Sequence, residues 1–305
     1  MVSRPIKNLL TGLIDYAGLF PPSKLPMDPA VTEFTRQRAS REAFVLGRFV
    51  VPAARLGELE TSFARSQAAA PAPDQSPSGV IEGPWRLSVL AGGDMDAARA
   101  QIDAFNARNA GQLRADAIET KPASASDIAH TSSAFGDFDV FYELPYDRDP
   151  SELMASVAEH GGFAKIRTGG ITADAFPQVA QVAEFLFAAH RAGIAFKATA
   201  GLHHALRGEY RLTYEEGCPS GTMHGFLNLF LAAAFVRQGL AAVQVKELLA
   251  ERSAGVLDFS AAGVSWRGER LMADDLAATR REFALSYGSC SIAEPVEDLH
   301  ALRLL

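Results

Sequence analysis

Eight short apolar runs, each followed by a longer stretch, mostly of helical pattern, set the tightest limit on what this chain can fold into. They are residues 13–17, 44–51, 85–91, 115–120, 138–144, 163–167, 195–200 and 285–289. Most are apolar at consecutive positions, the pattern of strands buried on both faces of a parallel sheet. Between them, residues 94–110 open on a capping Asp94 and end at Gly111, and residues 149–160 stop at Gly161-Gly162, as helix start and stop signals require. Residues 174–192 place Phe176, Val179, Val182, Phe185, Leu186 and Ala189 on one stripe, which predicts an amphipathic helix. Residues 222–238 are apolar on more than one side.

Repeated strand–helix units predict a parallel sheet, and eight of them predict a closed (β/α)8 TIM barrel. An open doubly wound sheet is the alternative, but no Gly-x-Gly-x-x-Gly opens an early helix. We read residues 1–305 as one domain, since such barrels take about 250 residues or more as a single unit. Two stretches break the rhythm. Residues 67–84, rich in Pro, Ala and Ser, predict a mobile loop. Residues 205–284 predict an elaborated helical insertion before the last strand, with helical patterns at 243–252 and 272–283 and a further segment at 255–270.

With 29 Lys+Arg against 36 Asp+Glu the chain carries a net charge of −7, which argues against a general nucleic-acid binder. An apolar content of 48% excludes a disordered chain. The longest apolar run, 229–236, falls far short of the roughly 20 residues of a membrane span. No signal peptide is visible at the N-terminus. Cys218 and Cys290 read as reduced thiols, so a soluble cytoplasmic protein is expected. A homo-oligomer stays open, because residues 222–238 suit a partner face or the interior equally.

Catalytic groups in barrels of this kind lie at the C-terminal strand ends and in the loops that follow. Those positions hold Asp15 and Tyr16, Arg48, Gly92-Gly93, Glu119 with Lys121, Glu143, Lys165 through Gly170, Lys197 through Gly201 with His203-His204, and Gly288 through Ser291. Lys165 and Lys197 are the most informative. Each interrupts an apolar strand and precedes a Thr and a Gly. A lysine, with an ordinary pKa of about 10.4, becomes nucleophilic when desolvation or a second cation favours the neutral amine. A neutral buried amine can attack a carbonyl to form a Schiff base. Pairing of each lysine with a strand-end carboxylate, Glu119 or Glu143, is the structural alternative.

These strings resemble the deoxyribose-phosphate aldolases. Lys165 to Gly169 is similar to that family's Lys-x-x-Thr-Gly strand end, which carries the Schiff-base lysine. Lys197 to Gly201 is similar to its following Lys-Ala-Ser/Thr-x-Gly strand. Weaker similarity runs through Leu13-Ile14-Asp15, Val50-Val51-Pro52, residues 115–119, Glu143 and Gly288-Ser289-Cys290-Ser291. The resemblance implies a barrel class I aldolase. Glu119 stands where the family has an acid–base Asp, residues 202–207 replace its glycine-rich phosphate cradle, and the long insertion is foreign to it.

The expectation is an aldolase-type lyase needing no cofactor and acting on a small carbonyl substrate. Lys165 would be the nucleophile, with Lys197 opposing its protonation and Glu119, or failing that Glu143, moving the proton. Asp15, Arg167, Thr168, Thr199, His203, His204 and Arg207 would orient the substrate. Gly169-Gly170, Gly201 and Gly288-Ser289 offer backbone N–H groups to an anion, or serve only as turns. Two rivals remain. One is a metal-dependent isomerase or hydrolase using His203, His204 or His224 with Glu119, Glu143 or Asp15, although adjacent histidines on an extended segment point oppositely. The other is a small-ligand binding protein without turnover. Cys290 reads as a packing residue.

Overall fold

A computed structural model describes residues 2–69, 81 and 83–305. Eight parallel strands close into a barrel: β1 Ile14–Tyr16, β2 Leu46–Pro52, β3 Trp85–Leu90, β4 Leu113–Thr120, β5 Asp139–Leu144, β6 Phe163–Arg167, β7 Phe196–Thr199 and β8 Ala284–Ser289, which pairs back to β1. Each strand is followed by an outer helix, in order Met27–Arg38, Leu56–Ala69, Met95–Arg108, Ala125–Phe135, Ser151–His160, Val179–Arg191, Phe226–Arg237 and Ala293–Ala301. The expected (β/α)8 architecture is the one observed.

Local chemistry sets several of these boundaries. The Asp94 carboxylate accepts from the N–H groups of Asp96 and Ala97, and Ser124 with Asp127 forms a capping box at the next helix. Strand alternation then sorts side chains between the two walls. Tyr16 faces outward and stacks on Phe34 with ring centroids 5.8 Å apart, so Asp15 faces inward.

The helix expected at 174–192 is split. Pro177 lacks a donor and forces extended backbone on Phe176, so a short 3-10 turn at Ala173–Ala175 ends there and the helix begins at Val179. The insertion is also less helical than its apolar pattern predicts. Thr222 and Met223, expected to open the helix at 222–238, instead end the strand Ser220–Met223, which pairs with Gly208–Arg211 as a hairpin, and Gly225 precedes the helix Phe226–Arg237. Leu257–Phe259, Gly263–Trp266 and Glu269–Met272 form an antiparallel sheet, in which Arg267-Gly268 supplies both left-handed turn residues.

The helix Phe226–Arg237 is buried from Phe226 through Val236. It packs against Val179–Arg191, Ala242–Ala250 and Ala273–Glu282 within the chain, so interior packing accounts for its apolar circumference. An unforeseen N-terminal helix, Arg4–Leu10, lies on Ala273–Glu282, where Arg280 donates to the carbonyls of Leu9 and Thr11. Of the loop expected at 67–84, residues 67–69 continue a helix, and residues 70–80 and 82 lie outside the described residues. Among the described residues no helix is long and apolar enough to cross a membrane.

Candidate functional site

Parallel register brings the ionisable strand residues onto one level. Glu143, Lys165, Lys197 and Ser286 are successive partners across β5, β6, β7 and β8, so all four side chains point into the barrel. From β4, Glu119 enters between the two lysines. Its Oε2 lies 2.8 Å from the Lys165 ammonium, and its Oε1 accepts from Lys197 at 2.6 Å and from Ser88 at 2.7 Å. Lys165 also lies 3.0 Å from Glu143, and Arg167 approaches the other Glu143 oxygen at 3.3 Å. On the far side Lys197 donates to Asp15 at 2.6 Å; Asp15 also accepts from Ser286 and from the backbone N–H of Arg48. The result is a chain, Asp15–Lys197–Glu119–Lys165–Glu143–Arg167, of alternating charge.

Buried charge is tolerated only when paired. Here Lys197, Glu119, Lys165 and Glu143 each have at least two partners of opposite sign, while Asp15 adds hydrogen bonds from Ser286 and the Arg48 backbone to its one cation. Burial alone would raise the Glu119 carboxyl, but the ammonium groups of Lys165 and Lys197 outweigh it and hold it well below the usual carboxylate range. Glu143 is held low in the same way, burial being overcome by Lys165 and Arg167. Burial would lower Lys197, but Asp15 and Glu119 reverse this and keep it a cation. The expected arrangement of two amines in direct opposition is thereby corrected: Glu119 stands between them and neutralises their repulsion.

A cavity of about 230 Å³ opens above this chain at the C-terminal end of the barrel. Of the residues singled out from the sequence, Glu119, Lys165, Arg167, Gly170, Thr199, His203 and Gly288 line it. Apolar side chains, among them Phe20, Val50, Leu90 and Ile171, cover much of the remaining wall. Lys197 is fully buried and Asp15 nearly so, and neither lines the cavity.

Several expected substrate contacts are spent elsewhere. The Thr168 hydroxyl donates to the carbonyls of Thr199 and Ala200, which ties the ends of β6 and β7 together. Gly169 and Gly201 pack backbone to backbone under the Phe176 ring: a Cβ on Gly169 would sit 2.8 Å from the Gly201 Cα. Close approach explains these glycines. Ser289 bonds Ser291 within its own turn. His204 contacts Asp298 and stacks on Tyr210, and Arg207 donates to His224 Nδ1. Arg48, noted at a strand end, points to the opposite end of the barrel and pairs with Asp116 and Asp139.

The histidines do not converge. His224 donates from Nε2 to the Pro177 carbonyl, and burial lowers its pKa to about 4, so it is neutral. Among the described residues no three His, Cys, Asp or Glu side chains are grouped as a metal ion requires. His203 instead meets two residues that sequence reasoning did not assign to a site. Its Nδ1 lies 3.2 Å from Glu294 in the first turn of the last helix and 3.8 Å from Cys290, which also lines the cavity. Tyr214, in the hairpin loop, donates to the same Glu294 carboxylate at 2.8 Å. An acid in the first turn after the last strand was the available signal for Glu294. Nothing local marks Tyr214.

Fold and site together define a (β/α)8 barrel whose mouth carries a lysine between two carboxylates. No family model and no curated protein matches the chain. Among solved structures it is similar to lysine/ornithine decarboxylase from Vibrio vulnificus, complexed with cadaverine, at 9% identity and a TM-score of 0.41. That match covers 93% of this chain and 59% of the decarboxylase chain, so this chain spans less than two thirds of its length.

Proposed function

We propose that this protein is an aldolase-type lyase in which Lys165 forms a Schiff base with a small carbonyl substrate. The observation that carries this reading is the position of Lys165: it lines the cavity, with Glu119 at 2.8 Å and Glu143 at 3.0 Å from its Nζ, while Lys197 is fully buried and does not line it. A lysine attacks only as the free amine, and either carboxylate is within reach to accept its proton. Attack on the substrate carbonyl gives a carbinolamine, which loses water to the iminium. Cleavage of the bond between the α and β carbons, with loss of the β-hydroxyl proton, releases one fragment as a carbonyl and sends the electron pair into the iminium as an enamine, which is reprotonated and hydrolysed to free the lysine.

Glu119, kept ionised by Lys197, is placed to exchange a proton with the enamine carbon, directly or through water. Arg167, bonded to Glu143 through Nε and nearly half exposed, offers the rest of its guanidinium to a polar substituent of the substrate. The apolar wall formed by Phe20, Val50, Leu90 and Ile171 keeps water from the amine.

Borohydride trapping with a panel of aldehydes and ketones, followed by peptide mapping, tests the reading. An adduct on Lys165 is expected. If Lys165 stays unmodified across the panel, the cavity belongs to a binding protein or to another chemistry.

A further inference from the structure

The cavity that Lys165 and Glu119 line holds a second proton-carrying group. His203 is buried and lines the cavity, and its Nδ1 is committed to the Glu294 carboxylate, with the Cys290 sulfur as a longer second contact. A carboxylate on one ring nitrogen fixes the tautomer and leaves the other nitrogen for chemistry. Among the described residues Nε2 makes no hydrogen bond. Glu294 is itself held by Tyr214 at 2.8 Å, so the imidazole is braced from three separate loops: its own after β7, that after β8, and the hairpin.

Cleavage of a β-hydroxy iminium needs a proton taken from the hydroxyl that becomes a carbonyl. Glu119 and Glu143 are already bonded to Lys165 and serve the amine end. We propose that His203, through Nε2, is the proton-transfer residue for that hydroxyl, with Glu294 as its positioning residue. Burial is outweighed by Cys290 and Glu294, which raise the His203 imidazole to about 10, so it rests as the imidazolium and cleavage runs through the fraction that has lost its proton. The step balances: Nε2 takes the hydroxyl proton, the oxygen lone pair becomes the new C=O, the carbon–carbon bond breaks, and its electrons neutralise the iminium as an enamine. In the addition direction the imidazolium returns the proton to the aldehyde oxygen. This rests on Lys165 being the Schiff-base lysine.

Two half-reactions separate the roles. Acetaldehyde, acetone and pyruvate are offered as donors, and both borohydride trapping at Lys165 and exchange of the donor's α-protons in deuterated water are measured. Cleavage of the aldol dimer of whichever donor traps is then followed. His203→Gln is expected to keep trapping and exchange within about twofold while cleavage falls on the order of 100-fold or more, the usual worth of a positioned acid–base group. Glu294→Gln is expected to give a smaller loss of the same kind. Cleavage at the unaltered rate in His203→Gln overturns the assignment to His203 and leaves Lys165 standing. Loss of trapping in His203→Gln, with Glu294→Gln folded and fully active in cleavage, also overturns it. If the unaltered protein traps none of the three donors, both assignments fall.

Discussion

Lys165 and Lys197 are register partners on β6 and β7 and share Glu119, yet of the two only Lys165 lines the cavity. Their chemical equivalence in the sequence therefore divides into two surroundings, one at the cavity and one in the interior.

Replacing the interior partner is expected to be felt in stability first. Lys197→Met leaves Asp15 and Glu119 buried with one cation fewer, and breaking a buried pair costs about 3–5 kcal/mol. Denaturant unfolding checks this. Lys165→Met is expected to abolish borohydride trapping, which Lys197→Met, where folded, is expected to retain.

Acid is expected to destabilise the protein through the same chain of charges. Glu119 and Glu143 are held low in the folded protein, as is Glu294, where burial is outweighed by His203. Groups with depressed folded pKa values contribute fully above their unfolded value of about 4.3, and that contribution is lost as pH falls towards the folded one. The unfolding midpoint should fall steeply below about pH 4. It should also decline as pH rises from about 6.5 towards 10, because the burial of His203 is outweighed by Cys290 and Glu294, which raise it to about 10. Glu119→Gln is expected to lower the maximum between these limits and flatten the acid limb.

Thr168 tests whether a strand-end hydroxyl serves substrate or scaffold. Its bonds to the carbonyls of Thr199 and Ala200 mean that Thr168→Val should cost about 1–3 kcal/mol of stability, the penalty for stranding buried acceptors. Trapping at Lys165 should continue in the folded variant. A loss of trapping at unchanged stability contradicts the scaffold role.

The contact between the β6 and β7 loops gives a steric prediction. Gly169→Ala would press its methyl on Phe176 and on the Gly201 Cα, and overpacking of this kind typically costs about 1–3 kcal/mol. Gly92→Ala, at a strand end with nothing within 4 Å of the added carbon, is the neutral control. Thermal unfolding of the two variants side by side measures the difference.

The barrel was legible because strands covered on both faces leave runs of consecutive apolar residues, and a lysine inside such a run must meet a partner or a ligand. What was missed has physical causes. The apolar stripe from Phe176 onward hid the break that Pro177 imposes, and the apolar pattern of the insertion hid two antiparallel pieces whose pairing is set by turns at Arg267-Gly268 and across the 212–219 loop. The contacts of Glu294 with His203 and with Tyr214 join positions far apart in the chain, and no periodicity encodes them. Thr168, Gly169 and Gly201 show the converse: a motif resembling a binding loop whose atoms are occupied by packing.

Arg48 has a consequence for traffic. Locked to Asp116 and Asp139 below the level of Lys197, it stoppers the lower end of the cylinder like the base of a test tube. Whatever enters must go out by the same door. On the Lys165 mechanism two fragments of one substrate therefore queue: the untethered piece departs first, and the bonded one follows once water has been admitted behind it.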